Sequence, residues 1–243
     1  MPKINVYLPD DLADAVRDTG VPVSAICQRA LELAVRRMTA IRQAVLTDLD
    51  VAELTAMLPH FTARAVTLLA LAVDRAKQSG APNVTTGDLL HGMLAEGANL
   101  GLRILTAMDI PPASLTPPTG AEASLPDPDA AGSGALRFSA PASIAIELAV
   151  TEAIGQGHNY VGCEHLLVGL SGEPDGAAGT VLRAQGADGK ATRRAVTTAL
   201  AGYSAGYARV QKDNSGTAEL LTAVRAELAP LVERIENLEA RMN

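Results

Sequence analysis

Glu164 and His165 stand side by side in HNYVGCEHLLVGL, residues 158–170, and a carboxylate next to an imidazole is a pair that could move a proton. Catalysis would also need a nucleophile at a useful spacing, and none stands there. His60 and His91 lack the Cys or carboxylate neighbours of a metal site. Cys27 and Cys163 lie far apart, outside any CxxC or Cys/His spacing, so neither a zinc site nor a disulfide framework is indicated. The sequence therefore predicts a protein that binds rather than catalyses, with no catalytic residue, metal or cofactor.

A second set of residues could read nucleic acid. From Lys3 to Leu8 the even positions are apolar and the odd ones, Lys3, Asn5 and Tyr7, are polar or amphipathic, the alternation of a half-buried strand. Lys can donate to guanine acceptors and Asn can pair with adenine. A lone six-residue strand with one apolar side needs a partner, and the simplest is the same segment of a second copy. Pro9 ends the strand. Asp10 to Thr19 and Ser24 to Met38 then read as two helices parted by Gly20, with Leu12, Val16, Ile26, Ala30, Leu33 and Ala34 as their inward stripe. Without DNA contact the same segment would be a swapped-strand dimerisation handle.

These elements sit in a chain of 243 residues with formal charge -7, 48% hydrophobic and 2% aromatic residues. The apolar volume must come from Ala, Leu, Val and Ile, which suits close-packed helices, so the predicted fold is mainly α. An acidic chain does not coat nucleic acid along its whole surface, and any DNA contact must be local. No signal peptide or membrane-length apolar run is found, and a cytoplasmic location, nucleoid-associated when on DNA, is expected.

Sliding the chain along itself by 77 positions carries Phe61 onto Phe138, Leu71 onto Leu148, Gly80 onto Gly157, Leu89 and Leu90 onto Leu166 and Leu167, Gly92 onto Gly169, and Leu105 onto Leu182. This is an internal repeat, each unit of which can bury an apolar face against the other. The stripes are Val66, Leu69, Val73 and Ala76 in the first unit, and Ile146, Leu148, Ala149 and Ala153 in the second. The domains expected are residues 1–45, a helical connector 46–58, a repeat pair 59–203 (59–115 and 136–203, with a Pro/Gly/Ala/Ser-rich linker 116–135), a flexible linker 204–216 and a coiled-coil helix 217–243. The last carries Leu221, Val224, Leu228, Leu231, Ile235, Leu238 and Met242 at steps of three and four, with Pro230 as a kink.

Residues 1–45, with LPDDLADAV and GVPVSAICQRAL after the short strand, resemble the ribbon-helix-helix family of bacterial repressors and antitoxins. The resemblance implies a homo-oligomer whose paired strands present Lys3, Asn5 and Tyr7 to the major groove of double-stranded DNA, with the terminal coil making a dimer or a tetramer. Ser24, as cap of the second helix, would hold a phosphate. Pro22 stands where many relatives have a hydroxyl residue.

HNYVGCEHLLVGL and its counterpart in the first unit resemble the repeat of Clp N-terminal domains on ClpC-type unfoldases, over residues 59–203. No G-x-x-x-x-G-K-[ST] loop occurs, so the ATPase ring is expected to be missing, as in truncated actinobacterial ClpC paralogues. In that family the domain receives adaptors, proteins with phosphorylated arginine and cyclic peptide antibiotics. By position, the resemblance places a guanidinium-binding carboxylate at Glu164 beside Cys163, whereas the first unit has Thr86 and Gly87. It places a cyclic-peptide groove at Leu58, Phe138, Ser143 and Glu147, with Leu58 replacing a Phe and Ser143 a Lys. The combined expectation is an autorepressor acting on its own promoter, whose repeat pair senses or sequesters Clp-directed ligands and signals through a helix from Met38 to Leu58. The alternative is a decoy or adaptor of the ClpC protease, a partner of Clp components without DNA binding.

Overall fold

The computed structural model of the chain describes residues 7–46, 49, 54–124 and 136–202, and these are mainly helical. The chain divides into a unit from Met1 to Arg193 and a second from Arg194 to Asn243, of which residues 194–202 are described and helical. Lys3, Asn5, the linker 204–216 and the heptad segment 217–243 lie outside the described residues.

In the first unit, α1 (Asp10–Thr19), α2 (Val23–Leu46) and the short α3 (Leu54–Met57) precede two equivalent sets. The first set is α4 (Ala63–Ser79), β1 (Asn83–Val84), α5 (Thr86–Glu96) and α6 (Leu100–Ala107). The second is β2 (Arg137–Phe138), α7 (Ala140–Gly155), α8 (Cys163–Gly172) and α9 (Ala177–Ala184). Equivalent residues do equivalent work. Thr62 caps α4 by accepting from the Ala65 amide at 3.3 Å, and Ser139 caps α7 by accepting from Ala142 at 3.1 Å. Gly80 (φ 64°) and Gly157 (φ 74°) leave these helices through left-handed backbone that a side chain would strain.

The two helices of each set cross at a glycine. A Cβ on Gly92 would collide with the Leu68 carbonyl oxygen, and one on Gly169 with that of Ala145, so only glycine lets α5 reach α4 and α8 reach α7 at this distance. Around these crossings Leu68, Leu69, Leu89, Leu90, Ile146, Leu166 and Leu167 are fully buried. The sets are joined by exchanged backbone pairs that an all-helical expectation omits. Val84 pairs in parallel with Phe138, and Phe61 with Val161, the same contact seen from the other repeat.

The N-terminal helices depart from expectation. Helix α2 starts at Val23 and runs to Leu46, past Met38. Ser24 lies inside it and is exposed, and the Pro22 carbonyl, accepting from the Ile26 amide at 3.1 Å, occupies the cap position. Tyr7 and Leu8 are not strand, and Tyr7 is 94% exposed. The expected inward stripe is largely uncovered: no residue of α1 is buried, and Leu12, Ile26 and Leu33 are about half exposed. A pair of helices buries a stripe only against another layer, and among the described residues none covers α1, while Ala30, Leu33 and Ala34 of α2 border a groove with Ile154 and His158. Later, α2 packs on α7, where Ile41 is buried. Among the described residues no helix is long and apolar enough to cross a membrane.

Candidate functional site

Helix α8 begins beside three stacked rings. His158 and Tyr160 lie face to face with centroids 5.2 Å apart, and His165 meets both edge-on. His165 Nδ1 accepts from the Gly162 amide at 3.0 Å and Nε2 lies 2.9 Å from His158 Nδ1, a pattern that assigns the Nε2–H tautomer. Burial, helped by the neighbouring His158, lowers its pKa to about 4. The imidazole is therefore neutral near pH 7, and its 3.4 Å approach to Glu164 Oε1 is not an ion pair. In the first repeat the equivalent residue is Asp88, whose Oδ2 accepts from the Thr85 amide at 2.9 Å and hydroxyl at 2.7 Å. One repeat thus closes its turn with a charged box and the other with a neutral imidazole.

Cys163 and Glu164, expected to form a guanidinium pocket, are 2% and 4% exposed. Burial, followed by the charge of Glu164, pushes the Cys163 thiol up to about 12. Burial also raises the Glu164 carboxyl, against hydrogen bonds from its own amide and from the Tyr160 hydroxyl. The carboxylate folds back over Gly162, where any Cβ would collide with it. In this conformation it faces its own turn, not an incoming guanidinium. Tyr160 and His165 form the wall around it.

Three of the expected groove residues are buried, and the fourth is held by α2. Leu58, Phe138 and Ser143 are 4%, 3% and 3% exposed, and the Ser143 hydroxyl donates to the Ser139 carbonyl at 2.8 Å. Glu147 is half-buried and receives the Arg42 guanidinium of α2 at 3.2 Å. Arg37 donates to the His158 carbonyl at 3.0 Å, and Leu49 donates to the Leu136 carbonyl at 3.0 Å. Between α2, Leu58, Phe61 and α7 lies an apolar cavity of about 20 Å³, room for about one water.

The first-repeat counterpart holds a residue that sequence reasoning missed. A Cβ on Gly87 would collide with the Pro118 carbonyl oxygen of the linker, so the linker fills the place of the second repeat's carboxylate. Four residues on, Glu122 sets its carboxylate against Thr86. An isolated Glu in a Pro/Gly/Ala-rich stretch carries no signal of this. Among the described residues no group of three or more His, Cys, Asp and Glu could hold a metal ion.

Residues 137–223 match the family model of the Clp repeat N-terminal domain. The chloroplastic chaperone protein ClpC1 of Oryza sativa subsp. japonica is 32% identical over 200 residues, 76% of this chain and 21% of that protein. The chloroplastic ATP-dependent Clp protease ATP-binding subunit ClpA homolog CD4B of Solanum lycopersicum is 31% identical over 199 residues, 76% of this chain and 21% of that protein. The N-terminal domain of the caseinolytic protease associated chaperone ClpD from Arabidopsis thaliana aligns with a TM-score of 0.39 and 24% identity, over 58% of this chain and 98% of that domain. The chain spans about a fifth of the length of the curated relatives it matches. It carries a Clp N-terminal repeat domain similar to that of the ClpC chaperones.

Proposed function

We propose that the chain is a non-catalytic partner in Clp-dependent protein degradation, an adaptor or decoy that meets Clp components or the ligands directed at them. The observation that carries this reading is the repeat pair itself. The stretch that contains it is 32% identical over 200 residues to a chloroplastic ClpC chaperone, of which those residues are 21%. A chain that shares a binding module with an unfoldase competes with it for whatever the module binds. The test adds the purified chain to a reconstituted ClpC-type protease degrading a fluorescent substrate. A decoy lowers the rate as its concentration passes that of the unfoldase, and an adaptor raises it. An unchanged rate, with no binding of the chain to the unfoldase or to a cyclic Clp-directed peptide by calorimetry, overturns the reading.

A second reading, a cytoplasmic DNA-binding autorepressor whose repeats sense those ligands, has one observation in its favour. Leu12, Ile26 and Leu33, of the expected inward stripe, are 47% to 52% exposed on consecutive helices, apolar side chains of the kind that an association surface covers. A second copy of the chain would cover them, as the ribbon-helix-helix resemblance implies, and would set Lys3, Asn5 and Tyr7 on one ribbon. A gel shift on the chain's own promoter, with Lys3→Ala and Asn5→Ala as controls, separates the readings, because a decoy gives no sequence-specific shift.

A further inference from the structure

The linker residues Pro118 to Ser124 lie as an extended strap where the two repeats meet, and Glu122 is its anchor. Glu122 Oε2 accepts from the Thr86 amide at 2.9 Å and the Ser139 hydroxyl at 2.6 Å. Oε1 accepts from the Thr86 hydroxyl and from the Ala177 amide at 3.1 Å. Thr86 opens α5, Ser139 caps α7 and Ala177 opens α9, so three helix starts converge on one carboxylate. The strap adds the backbone bonds of a bound peptide: the Ala140 amide donates to the Ala123 carbonyl at 2.7 Å, and Ser124 bridges antiparallel to Ser139.

The same strap borders a cleft of about 350 Å³ whose walls include Arg75, Asn83 and Asp88. Asn83 is 3% exposed and spends its amide nitrogen on the strap, at 3.4 Å from the Glu122 carbonyl and 3.1 Å from the Ser124 hydroxyl. Its Oδ1 has no hydrogen-bond partner. A buried acceptor left bare on the wall of a cleft is an unmet demand for an N–H donor, the group that a peptide backbone brings.

We infer that this junction is a receptor for an extended acidic peptide segment, and that the strap is its tethered occupant, with Glu122 in the carboxylate subsite. A partner's Asp or Glu would replace Glu122 on Thr86, Ser139 and Ala177, while a backbone N–H of the partner meets Asn83 Oδ1. Charge sets the ligand class. Glu173 is fully buried beside the subsite, since a Cβ on Gly176 would lie 2.6 Å from Glu173 Oε2 and 2.9 Å from Thr86 Oγ1. Its carboxyl is raised first by burial, then by the neighbouring charges of Asp175 and, least, Glu122. A second full negative charge is unwelcome there, so a singly charged carboxylate fits and a doubly charged phosphate does not. The strap is suited to release: Ala121, Ala123 and Ser124 are exposed, and Gly120 (φ 141°) is a ready hinge.

The receptor stands whether or not the chain meets Clp components. Its test uses the full chain and the capped peptide TGAEASL, residues 119–125 supplied in trans, with TGAQASL as control. A tether of this length acts at roughly millimolar effective concentration, so Glu122→Gln, which weakens the occupant and keeps its shape, binds TGAEASL at least about tenfold more tightly than wild type. The NMR shifts fall on the Thr86 and Ala177 amides, TGAQASL leaves them unmoved, and adding Ser139→Ala weakens the binding. Should Glu122→Gln fail to fold, the wild-type chain with the peptide at tens of millimolar shows the same two amides moving. Equal binding by wild type and variant, shifts elsewhere than these amides, or inorganic phosphate binding more tightly than TGAEASL overturns the inference.

Discussion

The Arg42 guanidinium lies 3.2 Å from Glu147 Oε2, fastening α2 to α7. The Arg42 side chain is 63% exposed, and a pair so open to water contributes within about 1 kcal/mol. Arg42→Ala is therefore expected to leave the denaturation midpoint almost unchanged while loosening α2. A cyclic Clp-directed peptide that needs Glu147 then binds up to about fivefold more tightly, the factor corresponding to that free energy. Calorimetric titration of wild type and variant checks it. Equal affinities would mean that α2 does not compete for the groove.

Gly92 and Gly169 make a sharper prediction about stability. Alanine at either drives a methyl group into a carbonyl oxygen of the facing helix, Leu68 in one repeat and Ala145 in the other. The helices must separate, and each substitution is expected to cost about 1–3 kcal/mol. Gly155→Ala, on the same helix as Ala145 but with nothing within 4 Å, is expected to be neutral or stabilising by up to about 1 kcal/mol. Urea denaturation of the three variants tests the contrast, and a mild effect at Gly92 and Gly169 would mean that the crossings are looser than described.

His165 predicts a pH dependence. Folded, it stays neutral down to about pH 4, whereas in the unfolded chain it takes a proton near the ordinary 6.5. Between those values the unfolded state binds more protons, so stability rises with pH there and is lost as pH falls. From pH 7 to pH 4 the loss from this group approaches about 3 kcal/mol. Glu164, whose carboxyl burial raises, contributes with the opposite sign above its ordinary 4.5. Comparing wild type with His165→Gln isolates the imidazole: the variant's stability is expected to change less between pH 7 and pH 5, and parallel curves would reject the assignment.

Much of the repeat architecture is legible in the residues. Gly80 and Gly157, Gly92 and Gly169, and the paired leucines recur at one interval because each answers a demand of its own helix, a turn to make or a neighbour to approach. Such demands are local and leave their mark on a single chain. The N-terminal helices were legible in kind but not in extent. Helix α2 has no stop signal at Met38 and continues to Leu46, because its second half is held by burial of Ile41 against the repeats.

By itself, then, the sequence determined the two-repeat plan, its helix starts and stops, and the place of Cys163 and Glu164 at the head of α8. Only the tertiary structure decided what those side chains face. Glu164 is turned inward by Tyr160 and Gly162, Glu147 is taken by Arg42, and the Thr86 subsite is filled by Glu122. The last two are pairings between residues far apart in the chain, chosen by which surfaces meet when the repeats close, and neither periodicity nor local spacing encodes a choice of that kind.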